Sequence, residues 1–252
     1  MSSTVPRLSD RAGPKWRRAV AGDAVELPDL LAGEDLKAAP KQVRGHRARA
    51  SVLAAAYDLF AQHGYEATTV EEIAKAAPVA VGGFYRHFRS KRQVLLVLMR
   101  GLLDEFDARH AARRFNEAPA DALERVRQAL QMGWVHAGAY RAWREAVAGD
   151  LALAALQSEI EAVTIAWITS ALAIAATAPG RRHDVDLASL ATIVNAVHWR
   201  LFDAPADERR AISETLVRLI RHSLFEDAGL EVNPSAAPTR SPGARRGGES
   251  AP

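Results

Sequence analysis

Residues 68–91 read TTVEEIAKAAPVAVGGFYRHFRSK. Val70, Ile73 and Ala74 give the first part of this stretch an apolar side at helical spacing, with Thr69 at its start. Ala77 precedes Pro78, and a proline ring disfavours helix in the residue before it, so the first helix ends there. A second helix is expected over residues 80–88, with Val79 plugging the angle between the two. Phe84 and Phe88 stand four apart and face the core. The helix is small at its start, then aromatic, then basic, which suits entry into the major groove of DNA with the first turn at base edges and the cations at phosphates.

Gly82 and Gly83 each cost about 1 kcal/mol of helix propensity relative to alanine. Two glycines fit this position if the backbone must closely approach bases or phosphates. Tyr85 and His87 can donate to phosphates, while Arg86, Arg89 and Lys91 add positive charge, and an arginine near base edges seeks guanine O6 and N7. Thr69 offers a hydroxyl and free N–H groups at a helix start, a seat for phosphate. The candidate DNA-contacting residues are therefore Thr69, Val81, Gly82, Gly83, Tyr85, Arg86, His87 and Lys91. A plainer reading makes the aromatics core and the cations a solvated face. It accounts for any one residue better than for the whole run.

Working outward, the 252 residues are enough for one large domain or two smaller ones. Convincing alternating β-branched runs are lacking, so an all-α fold is expected. The chain has no cysteine, which removes disulfides, thiolate metal sites and cysteine nucleophiles and fits a reducing cytoplasm. A net charge of +3 permits nucleic-acid binding without demonstrating it. The first residues have no apolar stretch suited to a secretory signal. Residues 162–178, AVTIAWITSALAIAATA, are uncharged but short for a span and diluted by hydroxyls, and read better as a buried bundle helix than as a membrane segment.

Four domains of organisation are expected. Residues 1–42 form a proline-broken, flexible extension with a short helix at most near residues 30–37, and Arg11, Lys15, Arg17 and Arg18 in reach of phosphates. Residues 43–91 form the helix-turn-helix domain, opened by a helix with Leu53, Ala56, Tyr57 and Phe60 on one face and Gly64 as its stop. Residues 92–230 form a bundle. Its first helix starts at Ser90 and carries Leu95, Leu98, Leu102 and Phe106. Further helices carry Leu123, Val126, Leu130 and Trp134, then Leu153 to Trp167, then Leu187 to Leu201 after Asp184 or Asp186, and last Ile212, Leu216, Leu219 and Ser223. Residues 231–252 form a disordered tail rich in proline, glycine, serine and arginine.

In the bundle, Phe106, Trp134, Trp143 and Trp167 come from several helices and are candidates to line a pocket for a hydrophobic or aromatic effector, although tryptophans at helical spacing are more often core. His110, His136, His183 and His198 lie on different elements with no HxxxH spacing, so no metal site or cofactor is expected. Asp104, Glu105, Asp107, Glu159 and Glu161 supply carboxylates, but no nucleophile, phosphate loop or metal motif accompanies them, which leaves an all-α enzyme as a weaker alternative.

The segments AAAYDLFAQHGYEATTVEEIAKAA and GGFYRHFRSK, within residues 52–91, resemble the DNA-binding domain of the tetracycline-repressor (TetR) family of bacterial transcriptional regulators. The resemblance implies a ligand-responsive dimeric repressor that binds a palindromic double-stranded operator, released by a small-molecule effector, with the last two helices pairing with their copies in a homodimer. The apolar stripes of those two helices are wide enough for that. Two departures stand out: where the family has glycine, valine and serine at the turn, this chain has Pro78, Val79 and Ala80. Proline is not expected to take the positive φ of glycine, so a rebuilt turn is anticipated, and Ala80 lacks a capping oxygen. A dimeric ligand-binding module with weakened or lost DNA binding is the second alternative.

Overall fold

The computed structural model describes residues 27–111 and 118–225, and among these the architecture is helical throughout, apart from one isolated bridge between Arg181 and Phe225. Helices α1 (Val43–His63), α2 (Val70–Ala76) and α3 (Val81–His87) make a small N-terminal domain. The long helix α4 (Lys91–Ala111) leads from it into a bundle of α5 (Pro119–Met132), a 3-10 turn (Gly133–His136), α6 (Ala137–Gly149), α7 (Leu151–Ala175), α8 (Leu187–Leu201) and α9 (Ala206–Leu224). The expectations for residues 1–26, for the C-terminal tail and for the side chain of His110 lie outside the described residues.

The N-terminal domain closes around the apolar face read from the sequence. Leu53, Ala56, Tyr57 and Phe60 of α1 are buried with Ile73 of α2 and with Phe84 and Phe88. α2 starts in a capping box: the Glu72 N–H donates to Thr69 Oγ1 at 3.2 Å, and the Thr69 N–H donates to Glu72 Oε2 at 2.8 Å. α3 starts without a side-chain cap at Ala80, as its methyl group requires.

The turn between them corrects one expectation. It is not rebuilt. The Val79 N–H donates to the Ala74 carbonyl at 3.0 Å, the long closing bond of a Schellman motif, and Pro78 stands at the position where that motif favours glycine. Its φ is 21°, far from the roughly −65° that a pyrrolidine ring prefers. Proline also has no N–H with which to make the second bond of the motif. The turn between α2 and α3 thus closes at the expense of local strain at Pro78.

The N-terminal extension also departs from the reading of a flexible arm. Residues 27–40 contain a turn but no helix. Leu30 is only 1% exposed and joins the core under α1 and α4, with Leu27 and Leu31 packed beside it.

α6 was not read from the sequence at all. Its buried face is Ala137, Ala139, Ala142, Trp143 and Ala146, too small in side-chain size to stand out as a stripe. Small residues serve close packing: a β-carbon at Gly138 would stand 2.6 Å from Ala61 Cα, so only glycine lets α6 lie this near α1. α7 is long and apolar enough to cross a membrane, yet it packs against α5, α6 and α8, with Leu153, Ile160, Ile168, Ala171, Leu172 and Ala175 buried. The remainder of that helix is half-buried or exposed, so it is less deeply enclosed than its composition suggests.

Two substitutions report on these packing arguments. Phe84→Ala is expected to destabilise the protein by about 3–5 kcal/mol in denaturant unfolding. Pro78→Gly is expected to stabilise it by about 1 kcal/mol, because relief of the strain and a restored N–H outweigh the extra freedom of the unfolded chain.

Candidate nucleic-acid interface

The outward face of α3 is what remains once Phe84 and Phe88 have turned into the core. Val81 is 38% exposed and Tyr85 46%, and Gly82 and Arg86 are exposed beside them. The two glycines differ in their reasons. A β-carbon at Gly83 would stand 3.3 Å from Val79 Cβ, so packing inside the turn accounts for it. At Gly82 nothing among the described residues lies within 4 Å of where a β-carbon would stand, so no contact among them requires a glycine there and the bare backbone faces outward. His87 is half-buried, and burial, followed by Arg49 and Arg86, lowers its pKa, so at neutral pH it offers an N–H without a charge.

Two members of the expected set already have partners. The Thr69 hydroxyl and N–H both donate to Glu72, so a carboxylate sits where a phosphate was expected. Lys91 Nζ donates to the carbonyls of Tyr65 at 2.8 Å, Glu66 at 3.1 Å and Thr68 at 3.2 Å, and lies 4.4 Å from the centre of the Tyr65 ring. An ammonium has three donors, and all three point inward. Lys91 therefore holds the loop between α1 and α2.

The same loop is held from the other side by a residue that the sequence reading missed. The Glu145 carboxylate, from α6, accepts the Tyr65 N–H at 2.7 Å and the Glu66 N–H at 3.1 Å. Nearby, Tyr57 Oη of α1 lies 2.7 Å from His136 Nδ1, and His136 Nε2 lies 3.6 Å from the Glu105 carboxylate of α4. Burial, then Asp58 and Glu105, raise the Tyr57 pKa, keeping the phenol protonated as a donor. Neither Glu145 nor His136 carries a local motif. Only the approach of α6 to α1 gives them their partners.

Residues 52–98 match the profile of the bacterial regulatory proteins of the tetR family. Residues 52–98 form a TetR-family DNA-binding domain. Among curated relatives, the HTH-type transcriptional repressor KstR2 of Mycobacterium tuberculosis (strain ATCC 25618 / H37Rv) is 41% identical over 85 residues, 34% of this chain and 40% of KstR2. The HTH-type transcriptional regulator TcmR of Streptomyces glaucescens is 37% identical over 83 residues, 33% of this chain and 37% of TcmR. The chain thus spans about two fifths of the length of these relatives. Solved structures extend the likeness of fold to the bundle. The ketosteroid regulator KstR2 of Mycobacterium tuberculosis superposes with a TM-score of 0.57 at 20% identity, over 75% of this chain and all of that one. AibR, solved with isovaleryl coenzyme A and operator DNA, superposes with a TM-score of 0.53 at 22% identity, over 69% of this chain and 97% of that one.

Beyond the TetR-family domain, the four aromatic residues considered for an effector pocket divide. Phe106 and Trp167 come together, edge to face, with ring centres 5.5 Å apart, and Arg125 lies 5.6 Å from the Trp167 ring. Trp143 is completely buried and donates from Nε1 to Gln157 at 2.6 Å, so it is a core residue joining α6 to α7. Trp134 sits in the 3-10 turn, half-buried, its carbonyl accepting from Arg209 of α9 at 3.2 Å. Of the histidines considered as ligands, His183 is exposed and His198 is enclosed by aromatic rings, with Phe202 at 5.0 Å. No group of three potential ligands converges among the described residues.

His198 has a consequence for stability. Its Nδ1 is buried with no hydrogen-bond partner among the described residues, and burial lowers its pKa to about 4. The unfolded chain takes up a proton near pH 6.5, where the folded protein does not, so stability falls as pH drops from about 6.5 towards 4, by at most about 3 kcal/mol. Urea unfolding measured across that range is expected to lose this slope in His198→Phe.

Proposed function

We propose that the chain is a dimeric, ligand-responsive DNA-binding transcriptional repressor of the cytoplasm, with α3 as the recognition helix. The observation that carries this reading is the division of α3. Its phenylalanines are spent on the core, while Val81, Gly82, Tyr85 and Arg86 stand outward with no partner element over them among the described residues. Gly82 lets a groove approach the backbone, Tyr85 and Arg86 reach bases and phosphates, and neutral His87 donates at the edge.

A palindromic operator calls for a two-fold protein. The homodimer is proposed to form through α8 and α9. The stripes of these helices divide: Val194, Leu201, Leu216 and Ile220 face inward, whereas Ile193, at 58% exposure, and Leu219, at 57%, face outward with Ile212. Between them runs an apolar groove of about 330 Å³ lined by Val197, Ala211, Ile212, Thr215, Leu216 and Leu219. A second copy covers this face and its exposed apolar side chains.

The effector is proposed to be a small hydrophobic or aromatic molecule bound near Phe106 and Trp167. Neighbours of the same fold have been solved with choline and with isovaleryl coenzyme A. Movement of α4 or α6 in response would act on the loop that Lys91 and Glu145 hold, and so on α2 and α3. The strained turn at Pro78 and the uncapped start of α3 favour one other reading, a dimeric ligand-binding module whose DNA binding has weakened.

Selection of bound duplexes from a random pool separates the two readings, since only the repressor enriches a palindrome. On the enriched duplex, Tyr85→Ala and Arg86→Ala are each expected to weaken binding about tenfold without loss of stability. Lys91→Ala is expected to lower affinity and melting temperature together, because it frees the loop carbonyls. Ile193→Asp with Leu219→Asp is expected to sediment as a monomer; a dimer of unchanged affinity would place the interface elsewhere.

A further inference from the structure

The segment ahead of α1 runs back along the start of α4 as an acidic strap. Asp29 pairs with Arg100 at 3.2 Å, Glu34 pairs with Arg92, and Asp35 pairs with Arg89, so three acids meet three bases in antiparallel order. The contacts extend beyond charge. Arg89 Nε donates to the Asp35 carbonyl at 2.9 Å, and Gln93 Nε2 donates to Glu34 Oε2 and to the same carbonyl, each at 3.2 Å. Leu30 anchors the strap in the core, and Gly33, with φ of 75°, turns the chain between that anchor and the acids Glu34 and Asp35. Arg92 carries the network further, donating to Asp150 at 2.8 Å at the start of α7.

The position of Arg89 gives this arrangement its meaning. It follows Phe88, the residue that caps α3, and its side chain is 46% exposed at the end of the helix proposed to read DNA. Asp35 is 75% exposed and is set beside Arg89 by the strap and by the bonds of Arg89 and Gln93 to its carbonyl. The Asp35 carboxylate on the exposed Arg89 guanidinium occupies the place of a phosphate oxygen, with a like charge, while Nε is taken by the Asp35 carbonyl.

We propose that the strap is an internal competitor of DNA: Asp35 occupies Arg89, and the backbone phosphate beside the recognition helix must displace it. The strap lowers affinity for all duplexes alike, since phosphates carry no sequence, and leaves the ratio of operator to bulk affinity to the base contacts. It also ties that competition to the bundle, because Glu34 and Asp150 share Arg92. This inference rests on α3 being the DNA-reading helix.

The test measures binding of a short random-sequence duplex by fluorescence anisotropy across a potassium chloride series, with the full chain and with Asp35→Asn, Arg89→Ala and the double variant. Asp35 is exposed, so Asp35→Asn keeps the fold, and a thermal melt verifies it. Asp35→Asn is expected to tighten binding about two- to fivefold at low salt, the range of one exposed ion pair. It is also expected to steepen the dependence of log affinity on log salt by about one, as the freed Arg89 displaces a further counterion. In the Arg89→Ala background the same substitution is expected to do nothing. Asp35→Asn that leaves affinity unchanged or weaker, while the parent binds, overturns the strap alone. An equal gain in the Arg89→Ala background overturns it too, since that is an effect of net charge. A parent that binds no duplex overturns both this inference and the reading of α3.

Discussion

The loop from Gly64 to Thr69 has backbone groups of both kinds to satisfy, and the protein meets them with opposite charges from opposite sides. Lys91 takes three carbonyls and Glu145 takes two N–H groups. A buried or half-buried backbone group without a partner costs about 1–3 kcal/mol, so the loop has one well-defined seat. Everything downstream inherits that seat. α2 starts from Thr69, α3 leans on α2 through Phe84, and the outward face of α3 is aimed accordingly. Because Lys91 opens α4 and Glu145 sits on α6, the seat belongs to both domains.

The junction between the domains adds small and polar contacts to one continuous apolar core, in which Phe60 of α1 and Trp143 of α6 belong to the same buried cluster. Gly138 brings α6 against Ala61, and that closeness delivers Glu145 to the loop and His136 to Tyr57. Arg92 adds a further tie by joining Glu34 to Asp150, whose carboxylate also caps α7 by accepting from Ala152 and Leu153. Burial alone would raise the pKa of Asp150, but the hydrogen bonds from Arg92 and from those two N–H groups bring it below the usual range. Polar ties of this kind are geometrically demanding and individually modest, which suits a junction that transmits a shift rather than one that only resists it.

The helix-turn-helix itself carries local choices that favour position over stability. Pro78 keeps the turn of a Schellman motif without its usual residue, Ala80 starts α3 uncapped, and Gly82 weakens the helix where no contact among the described residues requires a glycine. Consistent choices at every level mark a sequence shaped for its fold, and departures gather where something else is served. Here they gather within five residues at the start of the helix proposed to read DNA.

Much of this was legible in the residues alone. Apolar spacing marked α1, α2 and α3; Pro78 and Gly64 marked stops; and the aromatic and basic order of residues 81–91 marked the outward helix, because helical period and turn chemistry are local properties written in local sequence. What the sequence could not settle was partnership. Lys91 read as one more cation for phosphate until three carbonyls claimed it; Trp143 read as a pocket wall until Gln157 took its N–H; and Asp35 read as part of a loose arm until Leu30 brought it to Arg89. α6 went unread because alanine and glycine give no stripe, although its closeness to α1 joins the two domains. Periodicity tells which way a side chain faces, whereas a hydrogen bond or ion pair depends on two elements distant in sequence arriving within about 3 Å of each other, and only the packed fold decides that.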